Sequence, residues 1–320
     1  MDTQAARYAG RLWLQTDAAF GLRDVPLVLP MPVAPPVAGN AAGKLQNPAP
    51  AAHGMARPVT SVLRAPKMDG GSPPEFHRPV AAPPDRPVAQ RQGVGIPRSV
   101  KLPPIPEGHL DALEPIRDAE KPRLLAELQE ETAAALNPYI SEIATQVVFG
   151  SGDPAAKLMF VGEGPGVEED KTGIPFVGRS GQLLDKMIVA MGLSRQTVYI
   201  GNVVKLRAAE ADPASGRLRD RPPTPAEVAL NIPFLHKQIE IIRPQVIVTL
   251  GAPALKYLTG TVEGISLLRG TWMTYRGVPL MPTYHPSFLL RVYTPENRAK
   301  VWGDLQQVMA KLGLKPTSQK

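Results

Sequence analysis

From about residue 108 onward, apolar residues alternate between short continuous runs and helical spacing; before that point neither pattern is sustained. Leu110, Leu113, Ile116, Leu124, Leu125, Leu128 and Leu136 recur at helical intervals among charged residues, with Pro115 and Pro122 expected to break the helix into pieces. Leu158–Val161 is a continuous apolar run and predicts a buried strand. Leu183, Leu184, Met187, Ile188 and Met191 mark one face of a helix starting near Ser180. Thr197–Val204 predicts a second strand, followed by a long polar loop from Lys205 to Pro223. Thr224-Pro225-Ala226-Glu227 combines a capping Thr, a first-turn Pro and a Glu three residues after the cap; it predicts a helix running to Ile242 and stopping before Pro244. A strand at Val246–Leu250, a short helix at Ala252–Leu258, paired strands at 272–275 and 278–284, and a helix over 296–311 complete the series. Strands alternating with helices predict a three-layer α/β/α fold around a mostly parallel sheet.

The first third differs in kind. Of 37 prolines, 19 fall before residue 107, and aromatics are few. Such a segment lacks the apolar surface to offset chain entropy, so residues 1–107 are expected to be disordered or extended. Within it, residues 1–24 carry Tyr8, Leu12, Trp13 and Phe20 and form either a short amphipathic docking helix for a protein partner or a frayed terminus. The catalytic domain is then expected over residues 108–320.

Composition narrows the chemistry. The chain has no cysteine, which excludes disulfides, thiolate metal ligands and a cysteine nucleophile. No apolar run reaches membrane-spanning length, and Asp2 and Asp17 interrupt any signal-like segment, so a monomeric cytoplasmic protein without a membrane partner is expected. The net charge of +7 favours a polyanionic partner, nucleic acid first.

Candidate chemistry gathers at predicted strand ends. The first strand empties into Gly162-Glu163-Gly164-Pro165-Gly166-Val167-Glu168-Glu169-Asp170, a glycine-rich turn with acids at what would be a pocket mouth. Asn202 lies within the next strand segment, Tyr199-Ile200-Gly201-Asn202-Val203-Val204-Lys205. His285 follows the last, within His285-Pro286-Ser287, and is the one histidine of five at a strand end. In an open α/β sheet such ends share an edge, so these residues are expected to converge. The turn is not a phosphate loop: it has acids where phosphate would be repelled and no Gly-Lys-Thr after it, which argues against a nucleotide-binding module.

In this order the segments, together with Gly173-Ile174-Pro175-Phe176-Val177-Gly178 and Leu289-Leu290-Arg291, resemble the uracil-DNA glycosylase superfamily, and within it the iron–sulfur family 4, over roughly residues 147–314. The resemblance implies a monofunctional enzyme that removes uracil from DNA in base excision repair, releasing uracil and leaving an abasic site. Uracil-containing and abasic DNA would be its partners, and no metal or organic cofactor is implied. It also implies roles. Phe176 stacks on the base; Asn202 reads its Watson–Crick edge; Gly164 and His285 complete the pocket, with His285 donating to the departing base. Glu163 and Glu169 position water, and Glu169 also helps exclude a 5-methyl group. Ser180, Lys205, Arg207 and Ser287 touch phosphates. Arg291 fills the gap left by the extruded nucleotide.

Three departures qualify it. Leu206 and Asn231 stand where two cluster cysteines are expected, and residues 137–147 lack the other pair, so packing must hold the loops instead. Val167 occupies a position that is often acidic. The loop with Arg217, Arg219 and Arg221 has no histidine, which argues against covalent capture of DNA. The alternative is a protein that binds uracil or abasic sites with weak or no catalysis.

Overall fold

The computed structural model describes residues 100–314. The expectations for residues 1–24, and for the extended segment as far as residue 99, lie outside them. Among the described residues no helix is long and apolar enough to cross a membrane.

The elements run α1 (Lys121–Leu136), β1 (Ser151–Gly152), β2 (Leu158–Gly162), α2 (Val167–Thr172), α3 (Arg179–Ala190), β3 (Tyr199–Asn202), β4 (Ala209–Ala211) and β5 (Leu218–Asp220). They continue with α4 (Pro225–Ile242), β6 (Val246–Leu250), α5 (Ala252–Thr259), α6 (Ile265–Leu268), β7 (Met273–Tyr275), β8 (Val278–Thr283), α7 (Pro286–Arg291) and α8 (Pro295–Lys311). The main sheet has the order β1-β3-β2-β6-β8-β7. Its central four strands are parallel, and β1 and β7 pair antiparallel at the two edges.

The sheet is buried on both faces, as a parallel sheet requires. Met159, Val161, Tyr199 and Ile247 pack with α1, α4 and α5 on one side. Leu158, Phe160, Ile200 and Val248 pack with α3 and α8 on the other. This two-residue alternation turns a continuous apolar run into two cores and bears out the three-layer α/β/α architecture.

Several boundaries differ from expectation for local reasons. Pro122 does not break a helix; it sits in the first turn of α1, where its missing N–H costs nothing. Ile105 packs against the α1 side of the core, so the folded part begins before residue 108. The acidic turn is partly helical, since Gly166 caps α2 and Gly173, at φ 72°, ends it. The polar loop 205–223 contains the hairpin β4–β5. His285 closes its strand and caps α7. The expected capping box at the start of α4 is present: Thr224 Oγ1 accepts from Glu227 N at 3.2 Å, and Glu227 Oε2 accepts from Thr224 N at 2.7 Å.

Candidate active site

The carboxyl ends of β2 and β3 and the segment after β8 open into one cleft of about 900 Å³, lined by Glu163, Phe176, Asn202, His285, Ser287 and Arg291 among others. In β2 and β3, Gly162 and Asn202 are register partners. The connection after β2 leads to β3 on one side, and β6 lies on the other, so the cleft forms where the strand order reverses.

Asn202 is 1% exposed, and neither its Oδ1 nor its Nδ2 has a hydrogen-bond partner. A buried amide in that state costs about 1–3 kcal/mol for each unpaired group. It thus presents one acceptor and two donor hydrogens to whatever enters.

Phe176 is buried with φ 55°, a left-handed conformation that is uncommon away from glycine. Two features hold it. Arg195, paired with Asp185, donates to the carbonyls of Pro175 and Phe176. Gly181 admits the turn, because a Cβ there would lie 1.7 Å from Phe176 O. The ring faces His285 with centroids 5.7 Å apart.

His285 has a defined tautomer. Its Nδ1 accepts the Ser287 N–H at 3.1 Å and lies 2.7 Å from Ser287 Oγ. A backbone amide can only donate, so Nδ1 carries the lone pair and the ring proton sits on Nε2. Burial, with the Arg291 charge second, pushes the imidazole down to about 4. At neutral pH the ring is therefore an uncharged N–H donor.

Glu163 lines the cleft with no hydrogen bond or ion pair to its carboxylate among the described residues, and burial raises its pKa. Gly164 is needed for close packing: a Cβ there would lie 2.5 Å from Val204 Cγ2.

Four expected roles are corrected. Glu169 lines the cleft, but its Oε1 accepts the N–H groups of Val177 and Gly178, each at 2.8 Å, and its Oε2 accepts that of Gly166 at 3.1 Å. It braces the turn between Gly166 and Gly178, which carries Phe176, rather than standing free for water. Lys205 is fully buried behind Asn202 and reaches no phosphate. The Arg207 side chain is only 8% exposed and pairs with Asp220 at 2.7 Å. Ser287 is occupied in orienting His285 and takes a long 3.4 Å hydrogen bond from Arg291.

Ser180 and Arg291 do face the cleft, and Arg291 is exposed. Arg179 and Asp220, which sequence reasoning did not single out, also line it. Asp220 Oδ2 would lie 3.3 Å from a Cβ at Gly166, and only the β4–β5 hairpin brings it there. Val167 leaves an exposed apolar wall at the mouth.

The residues do not fit an iron–sulfur cluster. Leu206 packs in the core, Asn231 hydrogen-bonds to Lys205 N and Glu227 O, and the chain supplies no thiolate. Among the described residues no group of His, Asp or Glu side chains is placed to hold a metal ion.

Comparison with known proteins agrees with this geometry. Residues 149–306 match the model of the uracil DNA glycosylase superfamily. A type-4 uracil-DNA glycosylase of Thermotoga maritima is 46% identical over 165 residues, 51% of this chain and 81% of the relative. That of Sulfurisphaera tokodaii is 36% identical over 193 residues, 58% of this chain and 83% of the relative. That of Saccharolobus solfataricus is 39% identical over 176 residues, 52% of this chain and 76% of the relative. With the matched stretch running through all the strands that form the cleft, the chain belongs to the uracil DNA glycosylase superfamily, and relatives of type 4 share most of their length with it.

Proposed function

We propose that the protein is a monofunctional uracil-DNA glycosylase. The observation that carries this reading is the buried, unpartnered amide of Asn202 in a cleft that also holds the uncharged N–H donor His285. An extruded uracil supplies what the amide lacks. Its O4 accepts from Nδ2 and its N3–H donates to Oδ1; cytosine offers the opposite pattern and leaves both pairs mismatched.

The reaction then needs little more from the chain. The C1′–N1 bond breaks and its electron pair passes into the base, where charge gathers on O2. The Nε2–H of His285 donates to that oxygen, a contribution of about 3 kcal/mol for a fixed donor in a dry site. Phe176 stacks on the base face. The Glu163 carboxylate stabilises the cationic sugar and orients the water whose oxygen bonds to C1′, and takes up the proton it loses. No lysine lines the cleft among the described residues, which favours hydrolysis over a Schiff-base route to strand cleavage. Ser180, Arg179 and Arg291 supply backbone contacts, which give affinity rather than base choice.

The test is alkali-revealed cleavage of an oligonucleotide carrying one uracil, with cytosine, thymine and hypoxanthine controls. Uracil-dependent cutting whose rate collapses in Asn202→Ala and His285→Ala, to a residual level still measurable in single turnover, supports the reading. A folded wild type that shifts uracil or abasic DNA without cutting it would replace it with lesion binding. The same reading takes the protein to be a cytoplasmic monomer whose N-terminal tail meets a protein partner; because Ile105 packs on the core, the deletion that should spare activity on short oligonucleotides is that of residues 1–99.

A further inference from the structure

Behind the cleft, Lys205 is 0% exposed and no acidic side chain pairs with it among the described residues. Its Nζ donates to Asn202 O at 2.8 Å and to Gln238 Oε1 at 2.6 Å. Gln238 Nε2 in turn donates to Phe149 O at 2.9 Å and Tyr199 Oη at 3.1 Å. The Lys205 main chain is held on both sides as well: its N–H donates to Asn231 Oδ1 and its C=O accepts from Val148 N, each at 2.8 Å. One residue thus ties together β3, α4 and the segment before β1.

A buried ammonium without a counter-ion is expensive, and an apolar side chain of the same volume would be cheaper there. Burial alone lowers the Lys205 pKa to about 7. Its position suggests what that cost secures. An unpartnered buried amide turns toward the nearest partner unless its backbone is fixed, and Nζ fixes the carbonyl of the very residue whose amide must stay unpaired.

We propose that Lys205 is a positioning residue for Asn202, itself held in place by Gln238 and Asn231. The effect on catalysis rests on the glycosylase reading; the effect on Asn202 does not.

The experiment is a double-mutant cycle in the full-length protein. Single-turnover uracil excision is measured for wild type, Lys205→Met, Asn202→Ala and the double variant, together with affinity for uracil-free DNA. Lys205→Met is expected to slow excision about 10–100-fold, the range typical of residues that orient a site group. In the Asn202→Ala background it should slow it less than about threefold, with DNA affinity unchanged in both. Equal losses in the two backgrounds would overturn the proposal, since a purely structural role lowers both alike. Should Lys205→Met fail to fold, Gln238→Leu releases one end of Nζ and enters the same cycle with the same criterion. A second readout needs no activity: the side-chain amide signals of Asn202 in the free protein should be a single sharp pair in wild type and broadened or split in the variant. Unchanged signals refute the positioning role. A wild type that does not excise uracil refutes the function instead, and the amide signals still decide the role of Lys205.

Discussion

Gly162 and Asn202 face each other across adjacent parallel strands, and the missing side chain of the first makes room for the amide of the second. A Cβ at residue 162 would lie 2.5 Å from both Asn202 Oδ1 and Phe176 Cζ. Both neighbours are side-chain ends, so Gly162→Ala should fold, with Asn202 and Phe176 displaced together. A misplacement of about 1 Å at reacting groups costs on the order of 100-fold. Single-turnover excision is expected to fall by at least that much while the circular-dichroism spectrum stays native. Retention of more than a tenth of the wild-type rate would mean that the two side chains do not act in these positions.

Asn202 sets stability against activity. Replacing it by Leu removes two buried polar atoms that have no partner in the free protein, each costing about 1–3 kcal/mol. The Asn202→Leu variant is expected to melt at the same temperature as wild type or higher, and to lose uracil excision. Thermal denaturation and the cleavage assay check both halves; a clear drop in melting temperature would show that the amide is paired in the free protein.

The state of His285 gives a pH dependence. Its pKa lies at about 4, below the ordinary imidazole value, so its donor form persists well into acid. The folded protein binds fewer protons here than the unfolded chain, so this group's contribution favours folding above pH 6.5 and declines as pH falls toward 4. His236, buried beside Tyr275 and also lowered to about 4, acts in the same direction; Glu163, whose pKa is raised, acts in the opposite one. The Nε2–H donor of His285 survives in both ring states, so a loss of excision in acid is expected to follow protonation of the Glu163 carboxylate, whose pKa burial raises, and to be absent from the residual rate of Glu163→Gln. In urea titrations, His285→Ala should lose less stability than wild type between pH 6.5 and 4. A His285→Ala variant that loses as much stability as wild type between those pH values would assign His285 an ordinary, solvated imidazole.

Glu169 is a different kind of acid from Glu163. In Glu169→Gln one oxygen becomes an NH2 and meets either a backbone N–H of residues 177 and 178 or that of Gly166, a donor against a donor. The expected loss is about 1–3 kcal/mol of stability in urea unfolding. Glu163→Gln breaks no bond among the described residues and should leave stability near wild type while slowing excision. An interchange of these two patterns would exchange the two roles.

What the sequence made legible follows from period and local chemistry. Leu158–Gly162 and Val246–Leu250 are read from continuous apolar runs, and α4 from the Thr224 and Glu227 box, because each signal lies within a few residues of what it specifies. The convergence of Glu163, Asn202 and His285 was legible because strand ends of a parallel sheet share an edge. Helix α2 was not, since six residues between Gly166 and Gly173 are too few to show a period. Lys205 resembled a phosphate contact because a charge carries no mark of its burial, and its partner Gln238 is 33 positions away. Ser287 resembled another such contact for the same reason: the hydroxyl is visible in sequence, its bond to His285 is not. Asp220 reaches the cleft only through the β4–β5 hairpin, which its polar residues do not announce.

The pairing of β2 with β3 bears on how this family can vary in length. Met159 pairs with Tyr199 and Gly162 with Asn202 along an unbroken ladder. Adding or deleting one residue within either strand would turn every side chain beyond it to the opposite face, exchanging the two cores and pointing Asn202 away from the cleft. Insertions are therefore expected to survive where no ladder is counted, as at the tip of the β4–β5 hairpin around Gly216, where a Cβ meets nothing within 4 Å. Homologues that grow or shrink should do so there and keep the spacing from Met159 to Gly162, and from Tyr199 to Asn202, unaltered.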